Sequence, residues 1–160
     1  MNMKLSDILH PDAVTIDLVS TDKNDLLAEL VELLVASKGI KKTDKSMILN
    51  KLKERETIGS TGIGKGVGIP HAKCAFLKKM VAAFGISKEG VDFKALDGER
   101  TYIFFLLAAP GETPGPHLKA LAKISRILDD KFVRERLRSL KSAKEVLKAI
   151  DEEEKKKEVK

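Results

Sequence analysis

Apolar residues recur every three or four positions between residues 26 and 35, at Leu26, Leu27, Leu30, Val31, Leu34 and Val35. A helix gathers such positions on one face. The segment therefore predicts a core helix, capped by Thr21 or Asp22 and stopped by Gly39. A second helix starts at Thr43 or Asp44, turns Met47, Ile48 and Leu52 inward and ends near Glu56, which leaves Arg55 in its last turn. The pattern then changes. Residues 59–71 read Gly-Ser-Thr-Gly-Ile-Gly-Lys-Gly-Val-Gly-Ile-Pro-His, too rich in glycine for a stable helix, and predict a shaped loop running into a short strand. Residues 81–86 and 101–109 are apolar runs with β-branched and aromatic members, and each is bounded by a turn-rich stretch, residues 88–90 and 96–99. Both predict strands. Residues 110–116 form a loop, after which His117 opens a helix with Leu118, Leu121, Ile124 and Leu128 on one face. Residues 132–140 and 143–150 give two further short helices. Helices interleaved with strands imply an α/β fold, a layered domain whose sheet is covered by helices.

Residues 151–160 are almost wholly charged and read as a C-terminal tail, either a frayed helix end or a disordered extension. Residues 1–150 form the predicted domain, and no duplicated segment divides it.

The hydrophobic share of 42% and the charged share of 34% suit a globular chain and speak against a membrane span. The most apolar run, residues 102–109, is far shorter than a bilayer requires. The chain meets Asp7, His10 and Pro11 before any apolar region develops, so no secretory signal is expected and the predicted location is the cytoplasm. The lone Cys74 agrees with a reducing compartment and reads as a small packing residue. A net charge of +6 raises the question of nucleic acid, but only 4% of residues are aromatic and the lysines are spread along helices. Stacking and groove-reading modules lack their usual parts. The basic surface suits acidic protein partners better.

Three readings compete for the glycine-rich segment. Gly59, Gly64 and Lys65 stand where the P-loop pattern GxxxxGK needs them, yet Gly66 occupies the position that requires Ser or Thr. No helix N-terminus follows to face a phosphate chain either. The dinucleotide pattern GxGxxG fails because Val67, Ile69 or His71 falls in the place of the third glycine. A tight turn serving only the backbone path would explain the glycines by themselves. The punctuation points further: Pro70 stiffens the chain immediately before His71, beside a loop with backbone amides to offer.

Imidazole accepts a phosphoryl group near neutral pH when one nitrogen is fixed as a donor and the other keeps its lone pair. His71 suits that role. The transferred group spreads negative charge over three oxygens, which calls for surrounding cations and donors. Arg55 offers a planar, permanently charged fork, and His117 lies at a helix N-terminus, where an anion is welcome. Taken singly, Arg55 also fits a surface residue paired with a nearby acid, and His117 an ordinary first-turn residue. His10, before Pro11, reads as structural. Two histidines without HxxxH or HxH spacing make a poor metal site.

Residues 52–56, Leu-Lys-Glu-Arg-Glu, followed by residues 59–73 through Pro70-His71-Ala72-Lys73, resemble the signature of the fructose and mannitol class of IIA domains of the bacterial phosphotransferase system. The resemblance continues through Val91-Asp92-Phe93, Leu96-Asp97-Gly98 and His117-Leu118-Lys119-Ala120-Leu121, and covers nearly the whole chain before the charged tail. It implies a mixed β-sheet with helices on both sides. It also implies a phosphohistidine at His71, with Arg55 and His117 as the other site residues, no cofactor, and a donor of the HPr type. Read as a free-standing domain with its Gly-Ser-Thr-Gly-Ile-Gly stretch, the chain is most similar to the nitrogen-regulatory branch, which passes phosphate along a regulatory relay to control other proteins. The alternatives are a sugar-specific component handing its phosphoryl group to a IIB domain and, less favoured, a binding module that takes no phosphate. Pro116 directly before His117, with Pro110 and Pro114 upstream, departs from the family pattern and bears on how the second histidine is approached.

Overall fold

The computed structural model describes residues 3–111 and 114–158. Six strands form one mixed sheet: β1 (Leu9–Thr15), β2 (Gly62–Gly64), β3 (Val67–Gly68), β4 (His71–Lys73), β5 (Val81–Val91) and β6 (Thr101–Ala109). The order across the sheet is β1-β5-β6-β3-β2, with β4 also pairing β6. β5 and β6 run antiparallel, whereas β1 is parallel to β5, and both β3 and β4 are parallel to β6. Among the described residues there are five α-helices: α1 (Lys23–Ala36), α2 (Lys45–Ile58), α3 (Pro114–Leu128), α4 (Lys131–Ser139) and α5 (Ala143–Glu158).

The helices cover both faces of the sheet, α1 and α2 packing as one pair and α3, α4 and α5 as another group. This burial explains why β6 is a continuous apolar run rather than an alternating one: residues 103–109 are all buried, and neither face meets water. Phe105 of β6 meets Phe84 of β5 edge to face at 5.7 Å between ring centroids, and Phe104 meets Phe93 the same way at 5.2 Å. Such contacts add about 1 kcal/mol each beyond the area they bury. In α1 the predicted stripe is buried at Leu26, Leu27, Leu30, Val31 and Leu34, with roughly 1.5–3 kcal/mol for each side chain removed from water. Asp22 caps this helix by accepting from the Asp25 amide at 2.9 Å.

Several expectations need correction. α1 ends at Ala36, and Lys38, with φ of 63°, takes the left-handed turn just before the expected stop at Gly39. Met47 is exposed; Ile48 and Leu52, four residues apart, form the inward stripe of α2, and Met47 sits one helical step away from it. Residues 88–90 do not end a strand, because β5 continues to Val91 across an irregular register after Ile86. α3 begins at Pro114, within the expected loop; prolines are tolerated in a first turn, where no intrahelical partner awaits the missing N–H. Leu118 of α3 faces solvent, while Ile124 and Leu128 are buried.

The first strand and the end of the last helix go beyond what the residue pattern predicts. β1 carries His10, Pro11 and Asp12 in its middle and belongs to the sheet through its parallel pairing with β5. Its place at the sheet edge accommodates the proline. Helix α5 runs on through residues 151–158, where composition predicts a frayed or disordered tail. Glu154 is buried and accepts from the Leu5 amide at 3.0 Å and from Lys123 Nζ at 2.9 Å. Glu153, also buried, pairs with Lys157 at 3.2 Å. These bonds compensate the charges that composition alone assigns to solvent.

Candidate phosphoryl-transfer site

Three elements converge on a cavity of about 420 Å³: the last turn of α2, the start of β4 and the first turn of α3. They bring Arg55, His71 and His117 together on its wall, with Lys51, Lys73 and Ile58 beside them. His71 is fixed in height by the pairing of β4 with β6, where it stands opposite Leu107. The rings of His71 and His117 are 5.6 Å apart, tilted by 54°.

The tautomer of His71 follows from its neighbour. Nδ1 lies 2.8 Å from the carbonyl oxygen of Ile69; a carbonyl can only accept, so Nδ1 carries the proton and Nε2 keeps its lone pair. Burial lowers the His71 pKa below 6.5; the Ile69 bond raises it, the Arg55 charge lowers it and the Glu56 charge raises it in turn. The net effect favours the neutral, nucleophilic form at pH 7. His117 is almost fully buried, and its pKa is also lowered, first by burial and then by His71 and Lys73. Its Nδ1 has no hydrogen-bond partner among the described residues. Arg55 donates from Nη1 to the carbonyl of Gly59 at 2.8 Å, which holds the guanidinium at the cavity wall and leaves its other N–H groups for an anion.

Both lowered histidine pKa values carry a stability consequence. Below pH 6.5 the unfolded chain binds more protons than the folded one, so stability present above pH 6.5 is lost as pH falls toward the folded values. Thermal unfolding should show a Tm that drops between about pH 7 and pH 5, less steeply in a His71→Gln/His117→Gln double variant. Parallel slopes in the two proteins would remove the histidines as the cause.

The glycine segment is built differently from a phosphate cradle. β2 and β3 form a small antiparallel hairpin, and four of the segment's amides are engaged within the protein. The Thr61 amide donates to Glu56, that of Gly62 to Ser60 Oγ, that of Lys65 to Asp97 and that of Ile69 to the Thr61 carbonyl. Two glycines are required sterically. A Cβ on Gly62 would lie 2.9 Å from the Cα of Ala95, and Gly66 turns the hairpin with φ of 78°. Lys65, at the hairpin tip, pairs with Asp129 at 3.0 Å and is no part of the cavity wall, whereas Lys73 is.

Sequence reasoning misses the Ile69 carbonyl, because a main-chain oxygen leaves no mark in the residue code. It also misses Lys51, which lies one turn before Arg55 on the same helix face, a spacing that could have drawn attention to it. His10 is exposed on β1, where its Nδ1 accepts from the Asp12 amide at 3.0 Å. Cys74 is buried, and burial pushes its thiol up to about 11, as suits a packing residue. Among the described residues no group of three or more His, Cys, Asp or Glu side chains could hold a metal ion.

The sequence matches the family described as phosphoenolpyruvate-dependent sugar phosphotransferase system, EIIA 2, over residues 7–153. The chain belongs to this EIIA family. Among relatives of the EIIA domain, a nitrogen regulatory protein of Bradyrhizobium diazoefficiens is 33% identical over 150 residues, which are 92% of this chain and 95% of that protein. The fructose-specific EIIABC component of Bacillus subtilis is 33% identical over 153 residues, 96% of this chain but only 24% of that much longer protein. The crystal structure of nitrogen regulatory protein IIA-Ntr from Neisseria meningitidis superposes with a TM-score of 0.82 at 33% identity, covering 90% of this chain and 97% of that one. The EIIA fold is thus the mixed sheet with helices on both faces. Among the described residues no helix is long and apolar enough to cross a membrane.

Proposed function

We propose that this EIIA domain is a cytoplasmic phosphohistidine carrier, in which His71 accepts a phosphoryl group from an HPr-type donor protein, and that it works in a nitrogen-regulatory relay. The observation that carries the chemistry is the Ile69 bond to Nδ1, which leaves Nε2 as the only unprotonated nitrogen of that ring beside Arg55 and His117. Nε2 attacks the phosphorus, the N–P bond forms as the bond to the donor's histidine breaks, and no net proton is needed on His71. Arg55 bears the charge spread over the phosphoryl oxygens, and neutral His117 offers a ring N–H to the same oxygens. Transfer onward reverses these steps toward an acceptor. The regulatory reading is supported by the likeness over 95% of the Bradyrhizobium nitrogen regulatory protein and by the Neisseria IIA-Ntr structure.

A second reading, a sugar-specific EIIA that passes its phosphoryl group to a IIB domain, is favoured by the fructose-specific Bacillus relative at equal identity. The deciding experiment is transfer of label from a phosphorylated HPr-type carrier, followed by addition of a fructose IIB domain. An acid-labile, alkali-stable label that stays on this protein supports the regulatory relay. Rapid transfer to IIB supports sugar uptake, and absence of label on the wild type removes the carrier reading.

A further inference from the structure

Glu56 follows Arg55 on α2 but lines no part of the cavity. Its side chain is only 6% exposed, and it is surrounded by donors. Lys23 Nζ, from the first turn of α1, approaches Oε1 at 2.8 Å; the Thr61 amide donates at 3.0 Å and the Thr61 hydroxyl donates to Oε2. Lys23 in turn lies over the ring of fully buried Phe93, 4.6 Å from its centroid. On the far side of Thr61 the chain of bonds continues. The Thr61 carbonyl accepts from the Ile69 amide at 3.0 Å, and the Ile69 carbonyl accepts from His71 Nδ1 at 2.8 Å.

We propose that Glu56 and Thr61 are positioning residues for phosphoryl acceptance: they fix Ile69, and through its carbonyl they keep the His71 proton on Nδ1 and the lone pair on Nε2. This rests on the reading of His71 as the acceptor. A neutral imidazole has two tautomers, and the bond made by one nitrogen selects which is present. The segment that makes this choice is a glycine-rich hairpin with little intrinsic preference for one path. It acquires its path from helices α1 and α2, through a buried carboxylate that ties Thr61 to both. A buried ion pair is a weak source of net stability compared with apolar packing. Specifying the position of a flexible segment is the better reason for a buried Lys23–Glu56 pair at this place. The charge of Glu56 also acts on the ring at a distance, since it raises the His71 pKa against the lowering by burial.

The test uses the full chain with ¹⁵N-labelled histidine, comparing wild type with Glu56→Gln, Thr61→Val and Thr61→Ser. In the resting proteins the His71 nitrogen shifts report the tautomer, and a pH titration reports its pKa. Single-turnover transfer from the phosphorylated carrier, at several carrier concentrations, separates maximal rate from half-saturation. In Glu56→Gln and Thr61→Val we expect a mixed tautomer and a maximal rate lower by about tenfold, since small misplacement of a reacting group has effects of this order. The half-saturating carrier concentration should stay unchanged. Thr61→Ser, which keeps the hydroxyl, should restore wild-type values, and in Glu56→Gln the His71 pKa should fall further. A lowered Tm with tautomer and maximal rate both as in wild type would overturn the proposal. If Glu56→Gln fails to fold, Thr61→Val, which removes a single bond, decides the matter by the same readouts. Failure of the carrier reading is recognised separately, as absence of label on wild type, while the tautomer comparison still decides whether Glu56 sets the ring.

Discussion

Replacing His71 by alanine is expected to abolish phosphoryl acceptance completely, with no label above background after prolonged exposure to the phosphorylated carrier. No other imidazole has the same setting. His10 is exposed on β1 and is no part of the cavity wall, and His117, though on that wall, is nearly buried and has no carbonyl partner on Nδ1 among the described residues. His117→Ala should therefore keep the label on His71 but accept it about 100-fold more slowly, in the range of a lost positioned donor. The order of the two effects is the informative part. Equal loss in both variants would make the histidines a single unit, and normal acceptance by His71→Ala would sink the assignment of the nucleophile.

A chain ended after Ile150 should lose stability on the order of 3–5 kcal/mol, because it strands Lys123 without its buried carboxylate partner. Lys123 is 15% exposed and faces Glu154 and Glu158 at 2.9 and 2.7 Å, and its ammonium also donates to the carbonyl of Met3. The same cut removes the acceptor of the Leu5 amide. For a domain of this size, the loss corresponds to a fall in Tm on the order of 10 °C. A Lys123→Met/Glu154→Gln double variant should be less affected, since it removes both charges together while Gln keeps an acceptor for the Leu5 amide. If truncation leaves Tm unchanged, the last turns of α5 contribute nothing, and the segment behaves as the solvated tail its composition suggests.

The parts of the fold that were legible in the sequence are those whose signal is local. The stripe from Leu26 to Leu34 needs no partner to declare a helix, and the run in β6 declares a strand by its length and its aromatic and β-branched members. β1 escapes because His10, Pro11 and Asp12 break any alternation, and its pairing with β5 joins residues about 70 positions apart, such as Leu9 and Ala82. The end of α5 escapes for a similar reason: what makes Glu154 a buried residue is Lys123 and the Leu5 amide, neither near it in the chain. At the site, Pro70-His71 and Arg55 were conspicuous as residue types. The Ile69 carbonyl and the internal use of the loop amides were not, since main-chain geometry is common to every sequence.

The bond between the Leu5 amide and Glu154 spans 149 positions, so its second end leaves the ribosome only after all six strands have done so. Strands β5 and β6 can pair before α5 is released, whereas β1 lacks the packing of that helix until then. During that interval the apolar face that α5 will occupy is exposed to water. The final turns of the helix are thus the last part of the domain that can close.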